Sequence, residues 1–224
     1  MNALNKRKLS RKKRSRRRAK IIFSTSIVML LLGVGILYGV KLLNEFHYRN
    51  IPKTLTTIGN RNVQQMLLTP NKYSRPQDPL NKVNSVVVHY TANPNTSAKA
   101  NRDYFENLRI EKTTSASSHF IIGLEGEIIQ CIPLDEISYA SNDRNYDTIS
   151  IEVCHPDATG KFNEKSYEAL IELLSWICTE YRLDKDDIIR HYDVSGKNCP
   201  LYYVKNPEAW DTLKSDVVKY MKKK

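Results

Sequence analysis

VNSVVVHYT, residues 83–91, is the stretch that decides the fold. Three consecutive valines, Val86 to Val88, follow the polar pair Asn84-Ser85 and lead directly into His89. A short β-branched run bounded by polar residues reads as a strand, and its unbroken apolar character suits a buried central position in a sheet. TISIEVC (148–154) has the same buried character, and DIIRHY (187–192) reads as a shorter strand. SSHFIIG and EIIQCIP (117–123 and 127–133) flank Glu125-Gly126, a strand–turn–strand pattern. Helical patterns separate these strands. AKANRDYFENLR predicts a helix over 98–109. Over 164–182, Tyr167, Leu170, Ile171, Leu174, Ile177, Cys178 and Tyr181 recur as one apolar stripe. A last helix is predicted over 207–222, with Asn206 as N-cap and Pro207 at its first position. Strands that alternate with helices imply an α/β domain, a central mixed β-sheet flanked by helices.

The rest of the 224-residue chain is organised by charge. Its net charge is +11, which by itself suggests nucleic acid or an anionic surface as partner. Residues 1–20, MNALNKRKLSRKKRSRRRAK, hold eleven of the 35 Lys and Arg and no acidic residue, so residues 21–224 carry 24 basic and 24 acidic groups. That neutral balance argues against nucleic acid. Residues 21–40, IIFSTSIVMLLLGVGILYGV, carry no charge, and twenty helical residues span ~30 Å, the hydrocarbon thickness of a bilayer. Secretory signal cores are shorter, about 7–15 residues, and GILYGVKLLNEF offers no small-residue cleavage site. The segment 21–43 therefore reads as an uncleaved transmembrane signal anchor. The positive-inside rule puts the basic tail, 1–20, in the cytoplasm and residues 44–224 outside. Gly35 and Gly39 form a GxxxG pair, which can bring two such helices together weakly. Residues 44–75, rich in Asn and Thr with Pro52 and Pro70, read as an extracytoplasmic spacer holding a short helix around NRNVQQMLL.

Two histidines end apolar strands, His89 and His191, and Cys199 follows His191 by eight positions. Two imidazoles and a thiolate suit Zn²⁺, and three protein ligands leave the fourth tetrahedral position open, as in catalytic sites. Spacing alone equally allows two buried, hydrogen-bonded histidines and an unrelated cysteine. Glu152 is a carboxylate within an apolar strand, and such a group needs a partner or a task unless it faces solvent. Lys197 lies two residues before Cys199, and Asp193 two after His191. Cys131, Cys154 and Cys178 sit in apolar contexts suited to buried thiols, with a Cys131–Cys154 disulfide as the alternative. A cysteine hydrolase using the neighbours Cys154 and His155 is disfavoured, because adjacent strand residues point to opposite faces.

Four motifs, VVVHYTANP, SSHFIIGLEGEIIQ, TISIEVC and RHYDVSGKNCP, occur in this order. Together they resemble the zinc-dependent N-acetylmuramoyl-L-alanine amidases of type 2, a group similar to phage lysozyme-like amidases and peptidoglycan recognition proteins. The resemblance covers about residues 74–205. It implies a catalytic domain over 76–224 that hydrolyses the amide between N-acetylmuramic acid and L-alanine of the peptidoglycan stem. It implies His89, His191 and Cys199 as zinc ligands, Glu152 as catalytic carboxylate, Lys197 as oxyanion-stabilising lysine, and His119 as a substrate-binding residue near the cleft. Many members carry a Trp-His-Ala-Gly-like stretch before the glutamate strand; here it reads SYASND, 138–143, with Tyr139 in place of part of a substrate wall. The competing reading is a module of this fold that binds peptidoglycan without cutting it.

Overall fold

The computed structural model describes Arg14, residues 29–43 and residues 50–223. The chain divides into two units, Met1–Ile51 and Pro52–Lys224. In the first unit residues 29–43 are helical (α1), and the large apolar side chains from Met29 to Leu43 are solvent-exposed. Among the described residues no helix is long and apolar enough to cross a membrane. The expected anchor, 21–43, lies partly outside the described residues, as does most of the basic tail.

The second unit is built on one sheet. Its strands are β1 (Thr57–Ile58), β2 (Arg61–Gln65), β3 (Ser85–Tyr90), β4 (Phe120–Ile122), β5 (Ile128–Gln130), β6 (Thr148–Val153) and β7 (Ile188–Arg190). They lie in the order β1-β2-β5-β4-β6-β3-β7. β3 runs parallel to both β6 and β7, β6 parallel to β4, and β4 antiparallel to β5. The sheet is therefore mixed, as expected. β3 is next to the edge strand β7, yet Val86, Val87 and Val88 are fully buried. Helix α2 (Ala98–Glu111) packs on β4 and β5 through a core of Ala98, Phe105, Leu108, Ile121, Ile129 and Cys154. Ser97 caps it, its side chain accepting from the Ala100 N–H. Helix α3 (Glu164–Tyr181) packs on β1, β3 and β4 and is backed by α6 (Pro207–Met221). The expected stripe is buried from Leu170 to Tyr181, with Tyr167 half-buried at its start.

Several expectations are corrected. The spacer over 44–75 does not extend through this region: β1 and β2 lie within it, and β2 joins the sheet parallel to β5. The helix expected around NRNVQQMLL is strand β2. Only Val63 in it faces the core, so its place depends on backbone pairing, which leaves little apolar periodicity. Arg75 fixes the following segment by a two-pronged ion pair with Glu136, both contacts at 2.7 Å. The strand expected through Tyr192 ends at Arg190, and α4 (His191–Ser195) begins with the histidine itself. Asn206 does not cap α6 with its side chain, which donates instead to the carbonyl of Tyr202 in α5 (Leu201–Lys205). Cys131, Cys154 and Cys178 are free buried thiols, so the disulfide alternative does not hold.

The turn between β4 and β5 illustrates the local constraints. Gly126 has φ +79°, and a Cβ there would lie 2.8 Å from the Lys165 carbonyl oxygen. Arg61 joins this turn to α3, donating to the Gly126 carbonyl and to both oxygens of Glu172. Gly126→Ala is expected to cost about 1–3 kcal/mol, because the left-handed backbone and the clash act together. Urea denaturation checks this, and an unchanged midpoint contradicts it.

Candidate active site

Parallel pairing builds the site. β3 and β6 run in the same direction, so their carboxyl ends emerge together, where open α/β sheets present ligand sites. The register sets His89 directly opposite Glu152 and Val88 opposite Arg190, just before His191. The chain then turns through α4 and returns, and the Tyr192 N–H donates to the Cys199 carbonyl at 2.9 Å. Residues 110 positions apart thereby meet: Cys199 Sγ is 3.8 Å from His89 Nδ1. The His89 and His191 rings pack edge to face at 4.7 Å.

His89, His191 and Cys199 are buried, and one donor atom from each lies within 4.8 Å of the others. Tetrahedral zinc with ordinary bond lengths sets its N and S ligands about 3.6 Å apart, close to the 3.8 Å found here. His191 Nδ1 is buried with no hydrogen-bond partner. Such an atom is costly in a protein interior unless something binds it. The donor set and this orphaned nitrogen fit a metal ion.

Burial, then the charges of His191 and Lys197, hold the His89 imidazole well below the usual range. Burial and Lys197 lower His191 as well. Both shifts favour the neutral imidazole, the form that ligates metal. Burial pushes the Cys199 thiol up to about 12, with the Glu152 charge adding to it; the Tyr90 N–H and Lys197 act in the opposite direction. A metal must displace that proton to bind the sulfur.

Glu152 Oε2 is buried and has no partner. Burial holds its carboxyl at about 8, and the Lys197 ammonium offsets only part of this. Both residues line the same cleft of about 470 Å³ as the three ligands, together with Tyr90, Phe105, Tyr139 and Asn142.

His119 is the exception among the expected site residues. It is fully buried and absent from the cleft wall. Its Nδ1 accepts from the Ser150 N–H at 3.1 Å, and its Nε2 lies 2.9 Å from the Glu136 carbonyl oxygen. With both ring nitrogens satisfied inside the sheet, His119 is structural, and its expected substrate contact is corrected. Asp193 likewise turns from the site, pairing with the Arg190 side chain and N–H. The sequence reading did not single out Ser141 and Asn142. Ser141 Oγ is 3.3 Å from His89 Nε2, and Asn142 Oδ1 is 2.9 Å from His191 Nε2. Their one signal was the SYASND stretch, where the chain departs from the pattern it otherwise resembles.

Among the described residues, fold and site define an α/β domain with a candidate metal pocket and a carboxylate at the strand ends. The family model Amidase_2, N-acetylmuramoyl-L-alanine amidase, matches residues 79–201, and the chain belongs to that family. It is 33% identical over 168 residues to the N-acetylmuramoyl-L-alanine amidase BlyA of Bacillus subtilis (strain 168), covering 66% of this chain and 44% of BlyA. The amidase CwlL of Bacillus licheniformis is 32% identical over 161 residues, with the same shares covered. The chain thus spans less than half the length of these curated relatives. Among solved structures, the catalytic domain of XlyA superposes with a TM-score of 0.59 at 27% identity, covering 70% of this chain and 99% of that one.

Proposed function

We propose that this chain is a zinc-dependent peptidoglycan hydrolase that cleaves the amide between N-acetylmuramic acid and L-alanine of the stem peptide. The observation that carries the proposal is the meeting of His89, His191 and Cys199 beside Glu152, whose Oε2 is buried without a partner, in a chain of this family. Bound zinc supplies a Lewis acid and a water acidic enough to ionise near neutral pH. His89, His191 and Cys199 would hold it, and all three line the cleft. Glu152 accepts a proton from the attacking water and delivers it to the departing nitrogen as the C–N bond breaks. The products are a lactyl carboxylate and a free L-alanine amino group. In the metal-free protein burial raises the Glu152 carboxyl above the ordinary carboxylate range, which makes it a better proton acceptor once ionised. Lys197, on the same cleft, faces the negative charge that develops on the carbonyl oxygen. The thiolate ligand reduces the positive charge at the metal, so Lys197 carries more of that stabilisation than it would beside three neutral ligands.

Incubating the purified full-length chain with cell walls, with and without chelator, tests the proposal: new L-alanine amino termini are expected only without chelator. Zinc bound with no termini released favours a binding module instead. Lys197→Met is expected to lose about 10²–10³-fold in kcat while zinc content stays at one per chain. Full activity in that variant removes Lys197 from the mechanism.

Residues 21–43 are proposed to tether the domain to the outer face of the cytoplasmic membrane. Two features support this: the uncharged run 21–40 after eleven basic residues, and exposed apolar side chains around α1. The chain should remain with carbonate-washed membranes, and a chain starting at Pro52 should not. Release of the full chain by carbonate argues against the tether.

A further inference from the structure

The stretch 138–148 is held from several directions. The Ser138 hydroxyl meets Ser150 Oγ at 2.7 Å, and the Tyr139 N–H donates to Ser117. Asn145 Oδ1 accepts from the Ala140 and Ser141 N–H groups at 3.0 and 2.6 Å. Arg144 pairs with Asp147 and donates to Ser85 on β3. Within this frame Asn142 has φ +51°, a conformation that asparagine tolerates better than most residues. The result is that two consecutive residues present side-chain oxygens to two imidazoles, Ser141 to His89 and Asn142 to His191.

A carboxamide oxygen only accepts, so the 2.9 Å contact to Asn142 Oδ1 requires the proton on His191 Nε2. The lone pair is then on Nδ1, the buried ring nitrogen that has no partner. His89 is held at both ring nitrogens: Nε2 faces the Ser141 hydroxyl, which can donate or accept, and Nδ1 faces the Cys199 sulfur. A hydrogen bond at one ring nitrogen sets which other nitrogen is free for metal, and it fixes the plane of the ring.

We propose that Ser141 and Asn142 form a clamp on the two imidazoles, in which Asn142 sets the Nε2–H tautomer of His191 and so selects Nδ1 as its metal donor, while Ser141 holds the plane of the His89 ring. They are positioning residues, acting through His89 and His191. This rests on the metal-site reading above, and it gives a task to the SYASND stretch.

The test uses metal-stripped full-length protein, zinc titration against a competing chelator, and long-range ¹H–¹⁵N spectra of the imidazoles. Asn142→Gly removes the acceptor and keeps the left-handed backbone free of strain; Asn142→Asp keeps the acceptor. Wild type should show Nε2–H on His191. Asn142→Gly should weaken zinc binding by about 10–100-fold and mix the His191 tautomers. Asn142→Asp should bind zinc at least as tightly as wild type and keep a single tautomer. A merely structural role predicts equal losses in the two variants. Such equal losses, an unchanged affinity in Asn142→Gly, or Nδ1–H on His191 in wild type overturn the clamp. Cell-wall cleavage with an unchanged Asn142→Gly affinity leaves the amidase reading standing while the clamp fails. All expected affinities and tautomers without any cleavage uphold the clamp and reject the amidase reading.

Discussion

Glu152→Gln is expected to lower kcat about 10²–10⁴-fold, with zinc content unchanged and KM little altered. The substitution preserves volume and removes only the ability to accept and return a proton. The size of the loss follows from the position of the carboxylate. It sits opposite His89 in the sheet register, so the backbone of two parallel strands holds it rather than a flexible loop. Its Oε2 has no protein partner to retain it in one protonation state. Activity within tenfold of wild type removes Glu152 from the reaction. The same variant has a stability signature in the metal-free protein. The folded carboxyl titrates at about 8 against an ordinary 4.5. Its contribution is therefore present in full below the lower value and is lost as pH rises through the higher one. Wild-type melting temperature should fall relative to Glu152→Gln between pH 4.5 and 8. A pH-independent difference contradicts the burial of this carboxyl.

Loss of a metal ligand is expected to be at least as severe. His191→Ala, or prolonged chelation of the wild type, should cut the rate about 10³-fold or more, since metal-ion charge stabilisation amounts to several kcal/mol. His191 has one ring nitrogen bound to Asn142 and the other with no partner in the protein. Readdition of zinc should restore the chelated wild type and leave His191→Ala inactive. A chelated enzyme that keeps full rate contradicts the metal's role.

The proposed metal ligands and Glu152 were legible because each lies at or shortly after the end of an apolar strand, and the parallel pairing of β3 with β6 brings those ends together. Helix α3 was legible from its apolar stripe and α6 from Pro207 at its first position. β2 was not, because one inward residue, Val63, gives no period and the pairing to β5 is made by backbone atoms. His119 misled for the opposite reason. A strand histidine looks the same in sequence whether its ring faces a cleft or, as here, a serine and a carbonyl inside the sheet. Ser141 and Asn142 were hidden because their placement depends on a short 3₁₀ turn, Asn142–Arg144, held by the Asn145 side chain. No local periodicity encodes that.

The most direct measurement is mass spectrometry of a defined disaccharide–tetrapeptide fragment after incubation with the full-length chain in H₂¹⁸O. The account expects two products, a disaccharide whose lactyl carboxylate carries one ¹⁸O and a peptide with a free, unlabelled L-alanine amino terminus. Cleavage within the peptide or between the sugars, or an intact fragment in the presence of bound zinc, contradicts it.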